Sequence, residues 1–384
     1  MAGVSITSSP EPGPDAAADR GKTRIALVFG GRSGEHSVSC ATAAAVLQAI
    51  DRDRYEVVPI GITRDGHWVL TADDPALLEG GRAEVTAAEP ARVLMPLGST
   101  SAPLVLAEPG QVPRELAAVD VVLPLLHGPF GEDGTIQGLL ELAEVRYVGS
   151  GVLASAAGMD KHYMKIVLAA HGLPIGPHTV ITPRMWQVEK ESSMASAAAL
   201  GWPVFVKPAR AGSSLGVSRA SNLEELEAAI EAARAHDPKV VVEAAQVGRE
   251  IEIGVLQGRG DEPPRTTVPG EIVLESPAAG FYDYNTKYLE EVETMAIPAE
   301  LPPVVAGRLR DLAIESFTAL GCEGPARVDF FVNGEDVAVN EVNTMPGFTP
   351  RSMYPALWQA SGLSYPALLD ELIALAAERP TGLR

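Results

Sequence analysis

Two hydrophobic patterns alternate along this chain: short apolar runs of the kind that form buried strands, and longer stretches with apolar positions at helical spacing. The first apolar run, 24–29, reads as a buried strand. The loop Gly30-Gly31-Arg32-Ser33-Gly34-Glu35-His36 follows it, and a helix is predicted over 37–50 with Ser37 as its cap. Further strands are predicted at 55–60 and 68–70. Residues 71–119 are rich in Pro, Gly and Ala and read as an insertion with weak structure. The regular pattern resumes with a strand at 121–126, a loop at 127–134 and a helix to about residue 142.

Strand, glycine-rich loop and helix in repetition describe an open parallel α/β unit, placed at 23–149. A central unit, placed at 150–242, begins with a helix over 155–170. It contains the apolar strand 203–207, a second glycine-rich loop and a helix near 223–235. Strands at 240–243, 250–256 and 271–274 follow, then an aromatic polar segment, a helix at 303–320, a hairpin around Asn333-Gly334 and a final helix at 366–377. The C-terminal unit is placed at 243–384. Residues 1–22 are rich in Pro, Gly, Ala and Ser and lack the basic start and apolar stretch of a signal peptide, so they read as a disordered tail.

The 384 residues suffice for two or three domains, and 46% hydrophobic with 21% charged residues is an ordinary soluble balance. Thirty Lys and Arg against 50 Asp and Glu leave a net charge of -20. That field repels phosphate backbones and anionic lipid, which argues against nucleic-acid or membrane partners while leaving room for a local basic pocket. No apolar run approaches the ~18 residues of a membrane span. Cys40 and Cys322 are too few and too far apart for a disulfide framework or a zinc site and read as free thiols. The expected location is the cytoplasm.

The common nucleotide signatures fail. Ser33 stands where the dinucleotide fingerprint needs its second glycine, and Gly21-Lys22-Thr23 has Ala16 where a P-loop needs glycine and precedes a strand instead of following one. The stretch Lys207-Pro208-Ala209-Arg210-Ala211-Gly212-Ser213-Ser214-Leu215-Gly216-Val217 is more informative. A lysine at a strand end, followed by small residues with free backbone N–H groups, suits a loop folded over a polyphosphate. Alone, it equally suits a plain turn. The segment 281–288 holds three of the eight tyrosines and reads either as an ordered loop closing over a ligand or as an aromatic surface loop.

Arg327 and Asp329 share one face of a strand, and Glu341 and Asn343 share one face of the next. Asp329 and Glu341 fall directly opposite each other if the hairpin loop has odd length, such as Gly334-Glu335-Asp336. A two-residue Asn333-Gly334 turn would put them on opposite faces, so the odd loop is predicted. Two carboxylates and an amide are an oxygen-donor set for Mg²⁺. A solvent-facing polar hairpin is the alternative, but the apolar flanks Phe330, Phe331, Val337 and Val339 predict burial, and buried carboxylates need a cation.

Taken in order, these segments resemble the D-alanine:D-alanine ligases of the ATP-grasp superfamily. The resemblance rests on residues 30–39, 127–134, Met159-Asp160-Lys161, Val206-Lys207-Pro208 with Gly212-Ser213-Ser214, 282–288, Arg327-Val328-Asp329 and 341–349. It covers nearly everything after the N-terminal tail. It implies an α/β (α+β ATP-grasp) fold, with an N-terminal open parallel α/β domain followed by two ATP-grasp domains, and a homodimer. The implied reaction joins two D-alanines through an acyl phosphate at the expense of ATP, in peptidoglycan precursor synthesis.

The same resemblance implies roles for individual residues. Lys161, Lys207, Ser214 and Lys287 would meet ATP, and Glu243 and Glu250 would hold the adenine amino group and the ribose hydroxyls. Asp329, Glu341 and Asn343 would bind Mg²⁺, as two ions, with Mn²⁺ as a substitute. Glu35 would pair with the ammonium of the first D-alanine and join Ser213 and Tyr288 in a hydrogen-bonded set. Arg327 and the N–H of Gly347 would form the oxyanion hole, and His127, Ser352 and the backbone at Met353 would complete the substrate sites. Relatives that make D-alanyl-D-lactate resemble His or Phe at the position of Tyr288, so Tyr288 favours an amine nucleophile. The alternatives are a D-alanine:D-lactate ligase and a non-catalytic nucleotide-binding regulator. The second should lack some of Arg327, Asp329, Glu341 and Asn343, all of which are present.

Overall fold

The computed structural model describes residues 21–78, 84–86, 91–97, 103–274 and 293–382. The expected N-terminal tail up to residue 20 and the aromatic segment 281–288 lie outside the described residues.

The N-terminal sheet has the strand order Trp68–Leu70, Tyr55–Ile62, Thr23–Gly30, Val121–Pro124, Arg146–Tyr147, parallel except for the first pair. Thr23–Gly30 lies at its centre, with Ile25 facing Val57 on one side and Val121 on the other. Both faces of this strand are covered, which is why its run is continuously apolar: Ile25, Leu27 and Phe29 enter one core, Ala26 and Val28 another. From Thr23–Gly30 the chain moves outward to Tyr55–Ile62 on one side, and later returns at Val121–Pro124 on the other side and moves outward to Arg146–Tyr147. The loops at the carboxyl ends of Thr23–Gly30 and Val121–Pro124 therefore flank a crevice at a topological switch point. Glu35 and His127 both come from these loops.

The region 71–119 corrects the expectation of weak structure. It contains a 3₁₀ turn, Pro75–Leu78, and an antiparallel sheet of Arg92–Leu94, Leu104–Ala107 and Arg114–Ala117. Val93, Leu104 and Leu106 pack into the core beneath Ala26 and Val28. Strands of three and four residues leave too short an alternation to stand out among turn residues.

The helix expected over 155–170 is two helices, Val152–Met159 and Lys161–Ala170. Asp160 is extended between them, and its carboxylate accepts from His162 N at 3.1 Å and Tyr163 N at 3.4 Å, which caps the second helix. Ala154, Met164 and Leu168 of this pair bury against the C-terminal sheet.

The central sheet is antiparallel, in the order Ser218–Ala220, Val204–Pro208, Val240–Ala244, His178–Ile181. Val240–Ala244 belongs to it entire and so runs across the expected boundary at 242. Helix Leu223–Arg234 covers one face, capped by Asn222, whose side chain accepts from Glu225 N at 2.9 Å. The C-terminal sheet runs Glu293–Ala296, Gly270–Leu274, Arg249–Leu256, Pro325–Asn333, Asp336–Asn343, with Arg265–Thr266 pairing beside it. Helix Pro303–Leu320 packs against it through Val305, Leu309, Ala313 and Phe317.

The last two helices, Met353–Ala360 and Tyr365–Glu378, carry Tyr354, Trp358, Leu368, Leu369 and Leu372 back into the core of Ile25 and Leu27. The first of them was not anticipated because Pro355 interrupts its pattern, yet a proline in the first turn removes no intrahelical bond. Arg379 clamps the closure, donating to the carbonyls of Tyr147 at 3.1 Å and Gly149 at 2.7 Å and to Glu323 at 2.6 Å. Among the described residues no helix is long and apolar enough to cross a membrane.

Candidate active site

The N-terminal, central and C-terminal sheets converge on a cavity of about 400 Å³. Its walls include Glu35, His127, Lys161, Lys207, Ser213, Ser214, Glu250, Arg327, Asp329, Glu341, Asn343, Gly347, Ser352 and Met353. Lys287 and Tyr288 lie outside the described residues. Among the expected site residues that are described, only Glu243 is missing from the wall.

The hairpin corrects one expectation and meets another. The turn has two residues, Gly334-Glu335, between the paired Asn333 and Asp336, so it is neither the odd loop nor the Asn333-Gly334 turn, yet Asp329 still stands directly opposite Glu341. A β-bulge reconciles the two. Phe330 pairs with Val339 and Asp329 with Glu341, so Asn340 is an extra residue that returns Glu341 to the face of Asp329. Asn343 faces Arg327 one step further along and donates from Nδ2 to Asp329 at 3.0 Å.

Arg327 is buried and clasps Asp329 with two hydrogen bonds of 2.7 Å each, while its Nε lies 2.8 Å from Glu252. Burial alone would ease its proton off, but Asp329 and Glu252 outweigh that and hold the guanidinium charged well above the usual arginine range. Glu252 is a site residue that the sequence reading missed. Period-2 alternation puts it on the face of Glu250, and the pairing of Glu252 with Asp329 across the sheet brings it to Arg327.

The N-terminal loops bring the first carboxylate. Ser33 donates to the carbonyl of His127 at 2.7 Å and accepts from Glu35 N at 3.2 Å, which ties the two loops together. The Glu35 carboxylate accepts from Ser213 Oγ, a bond between the N-terminal domain and the glycine-rich loop of the central sheet. Gly128 and Gly212 make room for it, since a Cβ at Gly128 would come within 2.5 Å of Glu35 Oε2 and one at Gly212 within 3.2 Å. Ser213 and Ser214 both adopt left-handed backbone conformations, at φ 49° and 55°, which is uncommon away from glycine and fits a loop shaped by what it grips.

His127 is buried, with Nδ1 3.4 Å from Glu132 and Nε2 without a hydrogen-bond partner among the described residues. Burial would lower its pKa, but Glu132 and Glu35 outweigh that and raise it above the ordinary histidine value. Glu132 also lines the cavity and was not singled out from the sequence, where it is one acidic residue in a glycine-rich loop.

Lys161 is delivered by the helix break. Its N–H donates to the carbonyl of Ala209 and its ammonium to that of Ala211, each at 2.9 Å, and Glu341 lies 3.7 Å away. Lys207 Nζ sits 2.7 Å from Glu243 and 3.5 Å from Asn340 Oδ1. Glu243 is thus turned to lysines, with Lys165 Nζ 3.0 Å from its other oxygen. This corrects the expectation of a carboxylate open to the adenine amino group. Burial would raise the Glu243 pKa, but the two lysines overcome it and bring it down to about 2.

At the far end, Ser352 stands just before helix Met353–Ala360, and its Oγ accepts from Thr349 N at 3.2 Å. A Cβ at Gly347 would lie 3.1 Å from that oxygen, so the Gly347 backbone and the helix N-terminus share one wall. Free N–H groups at a helix N-terminus suit a carboxylate. The donors at Asp329, Glu341 and Asn343 are two carboxylates and an amide, a set that fits a hard divalent cation. Among the described residues no three His, Cys, Asp or Glu side chains cluster as a metal site of their own.

Known proteins resemble this chain in sequence and in fold. The family models described as "D-ala D-ala ligase N-terminus" and "D-ala D-ala ligase C-terminus" match residues 24–150 and 167–374. The chain is 56% identical to the D-alanine–D-alanine ligase of Arthrobacter sp. (strain FB24), over 94% of this chain and 96% of the relative. It is 52% identical to that of Mycolicibacterium smegmatis, over 95% and 98%. Among solved structures it is similar to the VanG D-Ala:D-Ser ligase from Enterococcus faecalis, with TM-score 0.79 and 34% identity over 92% of this chain and 99% of that one. It is also similar to the D-alanine–D-alanine ligase from Bacillus anthracis complexed with ATP, with TM-score 0.66 and 26% identity over 92% and 97%. With its fold and both halves of its length matched, the chain belongs to the D-alanine–D-alanine ligase family.

Proposed function

We infer that this site joins two D-alanines into D-alanyl-D-alanine, a peptidoglycan precursor, with ATP converted to ADP and phosphate. The observation that carries the reading is the convergence of Glu35, Ser213, Arg327, Gly347 and Ser352, drawn from distant parts of the chain, on one cavity. A carboxylate oxygen of the first D-alanine attacks the γ-phosphorus of ATP, and the bond to the bridging oxygen breaks to release ADP. The amine of the second D-alanine then adds to the acyl phosphate carbonyl, loses a proton and expels phosphate.

Transfer between anions needs positive charge in a dry site. Lys161 and Lys207 supply it around the phosphates, and Ser214 offers the loop's hydroxyl. Asp329, Glu341 and Asn343 would hold Mg²⁺, as two ions or with Mn²⁺ in its place, which neutralises phosphate charge when bound. Glu250 lies on the cavity wall and would meet the ribose hydroxyls. Glu35 pairs with the first ammonium, and its bond to Ser213 holds the loop over an acyl phosphate that water would hydrolyse. Arg327 and the Gly347 N–H stabilise the tetrahedral oxyanion, and Ser352 with the Met353 N–H takes the second carboxylate.

The roles of Lys287 in phosphate binding and of Tyr288 in favouring an amine nucleophile rest on the sequence resemblance, as does a homodimer, while a cytoplasmic location and a domain limit near 149 rest on composition and pattern. The test is incubation with ATP, Mg²⁺ and D-alanine, following ADP and identifying the product by mass. ADP formed in step with D-alanyl-D-alanine, and absent with L-alanine, is expected. A dominant depsipeptide when D-lactate is added at neutral pH would overturn the reading of Tyr288, and ATP binding without ADP formation would overturn the ligase reading.

A further inference from the structure

Behind the phosphate-facing wall lies a buried cluster of charge. Lys165 is only 2% exposed and does not line the cavity, so it is out of reach of substrate. Its ammonium lies 3.0 Å from Glu243, on whose other oxygen Lys207 sits at 2.7 Å. Lys165 also reaches the carbonyl of Asn340 at 3.5 Å, while the Asn340 side chain faces Lys207 at 3.5 Å. The bulge residue beside Glu341 is therefore held between both lysines, and the cluster joins helix Lys161–Ala170, the central sheet and the hairpin of the C-terminal sheet.

We propose that Lys165 is a positioning residue for ATP: by sharing Glu243 it leaves Lys207 with charge to offer the phosphates. Two ammonium groups on one carboxylate leave one surplus positive charge, and only Lys207 faces the cavity to present it. Without Lys165, Glu243 and Lys207 form a neutral pair, and the carboxylate draws Lys207 back from the nucleotide. Burial, helped by the Lys207 charge, brings the Lys165 pKa below the ordinary lysine value, and Glu243 works against that fall. The proposal rests on the reading that Lys207 meets the phosphates of ATP.

The test compares Lys165→Met, Glu243→Gln, the double variant and Lys207→Ala with the wild-type protein, by equilibrium binding of ATP without D-alanine and by steady-state kinetics. Lys165→Met should weaken ATP binding about tenfold and raise KM for ATP to match, with KM for D-alanine changed by less than about twofold. Once Glu243 is neutral, Lys165 has no carboxylate to share, so the double variant should bind ATP within about twofold of Glu243→Gln alone. That second comparison stands even where Lys165→Met alone fails to fold. Wild-type affinity in Lys165→Met, an equal loss for both substrates, or a further large drop from Glu243→Gln to the double variant would overturn the proposal. Unchanged ATP binding in Lys207→Ala would instead overturn the reading of Lys207 on which it stands.

Discussion

Asp329 and Glu341 face each other across neighbouring strands only because Asn340 bulges out of the ladder between Val339 and Glu341. A regular hairpin on the same two-residue turn would pair Asp329 with Asn340 and send Glu341 to the opposite face. The oxygen-donor pair is thus a product of one extra residue.

If these carboxylates hold Mg²⁺, replacing either should raise the metal requirement more than it alters folding. Asp329→Asn and Glu341→Gln are each expected to shift the Mg²⁺ concentration for half-maximal activity upward by at least about tenfold, in line with the loss of one charged ligand. Titrating activity against free Mg²⁺ checks this. An unchanged midpoint would remove the pair from the metal site.

Arg327 carries two burdens, stabilising the reaction's oxyanion and balancing Asp329 and Glu252 in a buried place. Arg327→Ala should lower kcat by about 10²–10³-fold, the usual effect of losing an oxyanion donor at ~2.7–4 kcal/mol. It should also lower Tm, because two buried carboxylates lose their cation. Arg327→Lys keeps the charge without the two-pronged geometry, so it should recover Tm while kcat stays low. Recovery of kcat with lysine would mean that charge alone suffices.

The bond between Glu35 and Ser213 joins the N-terminal domain to the glycine-rich loop. Ser213→Ala should raise KM for D-alanine and increase ATP hydrolysis without peptide formation, since a looser loop admits water. Gly128→Ala should do the same from the other side. Its Cβ would press on the Glu35 carboxylate, and its φ of 72° penalises alanine. The ratio of ADP to D-alanyl-D-alanine is the measurement, and a ratio that stays at one would sink the idea.

Glu243 makes stability depend on acid in a defined direction. Its folded pKa, about 2, lies below the ordinary glutamate value of 4.5, so the native state binds fewer protons than the unfolded chain between the two. The stabilisation is complete above 4.5 and is lost as pH falls through about 2. The gap in Tm between wild-type protein and Glu243→Gln should therefore be widest near neutrality and narrow progressively below about pH 4.5. A gap that is constant with pH would mean that Glu243 stabilises by packing instead of charge.

Most of the elements could be read from local pattern, and fourteen residues of the cavity wall are singled out by the sequence, several of them only through the family resemblance. The buried run at 24–29, the loop lysine Lys207, and the alternation that sets Arg327 beside Asp329 are each properties of a few neighbouring residues, and strand and helix periods act at that range. The order of those segments was enough to point to a family. What local pattern could not settle was decided by packing between distant parts. The hairpin turn and the Asn340 bulge depend on strands that must bury Phe330 and Val339 while offering Asp329 and Glu341 to the cavity. The three short strands within 71–119 exist because they cover the far face of the N-terminal sheet. Lys165, Glu252 and Glu132 look like ordinary surface charges in one dimension, since nothing nearby in sequence supplies their partners. A buried charge is tolerable only where an opposite charge meets it, and Lys165 meets Glu243 across 78 positions of chain. Charge pairing at that separation is a property of the folded molecule alone.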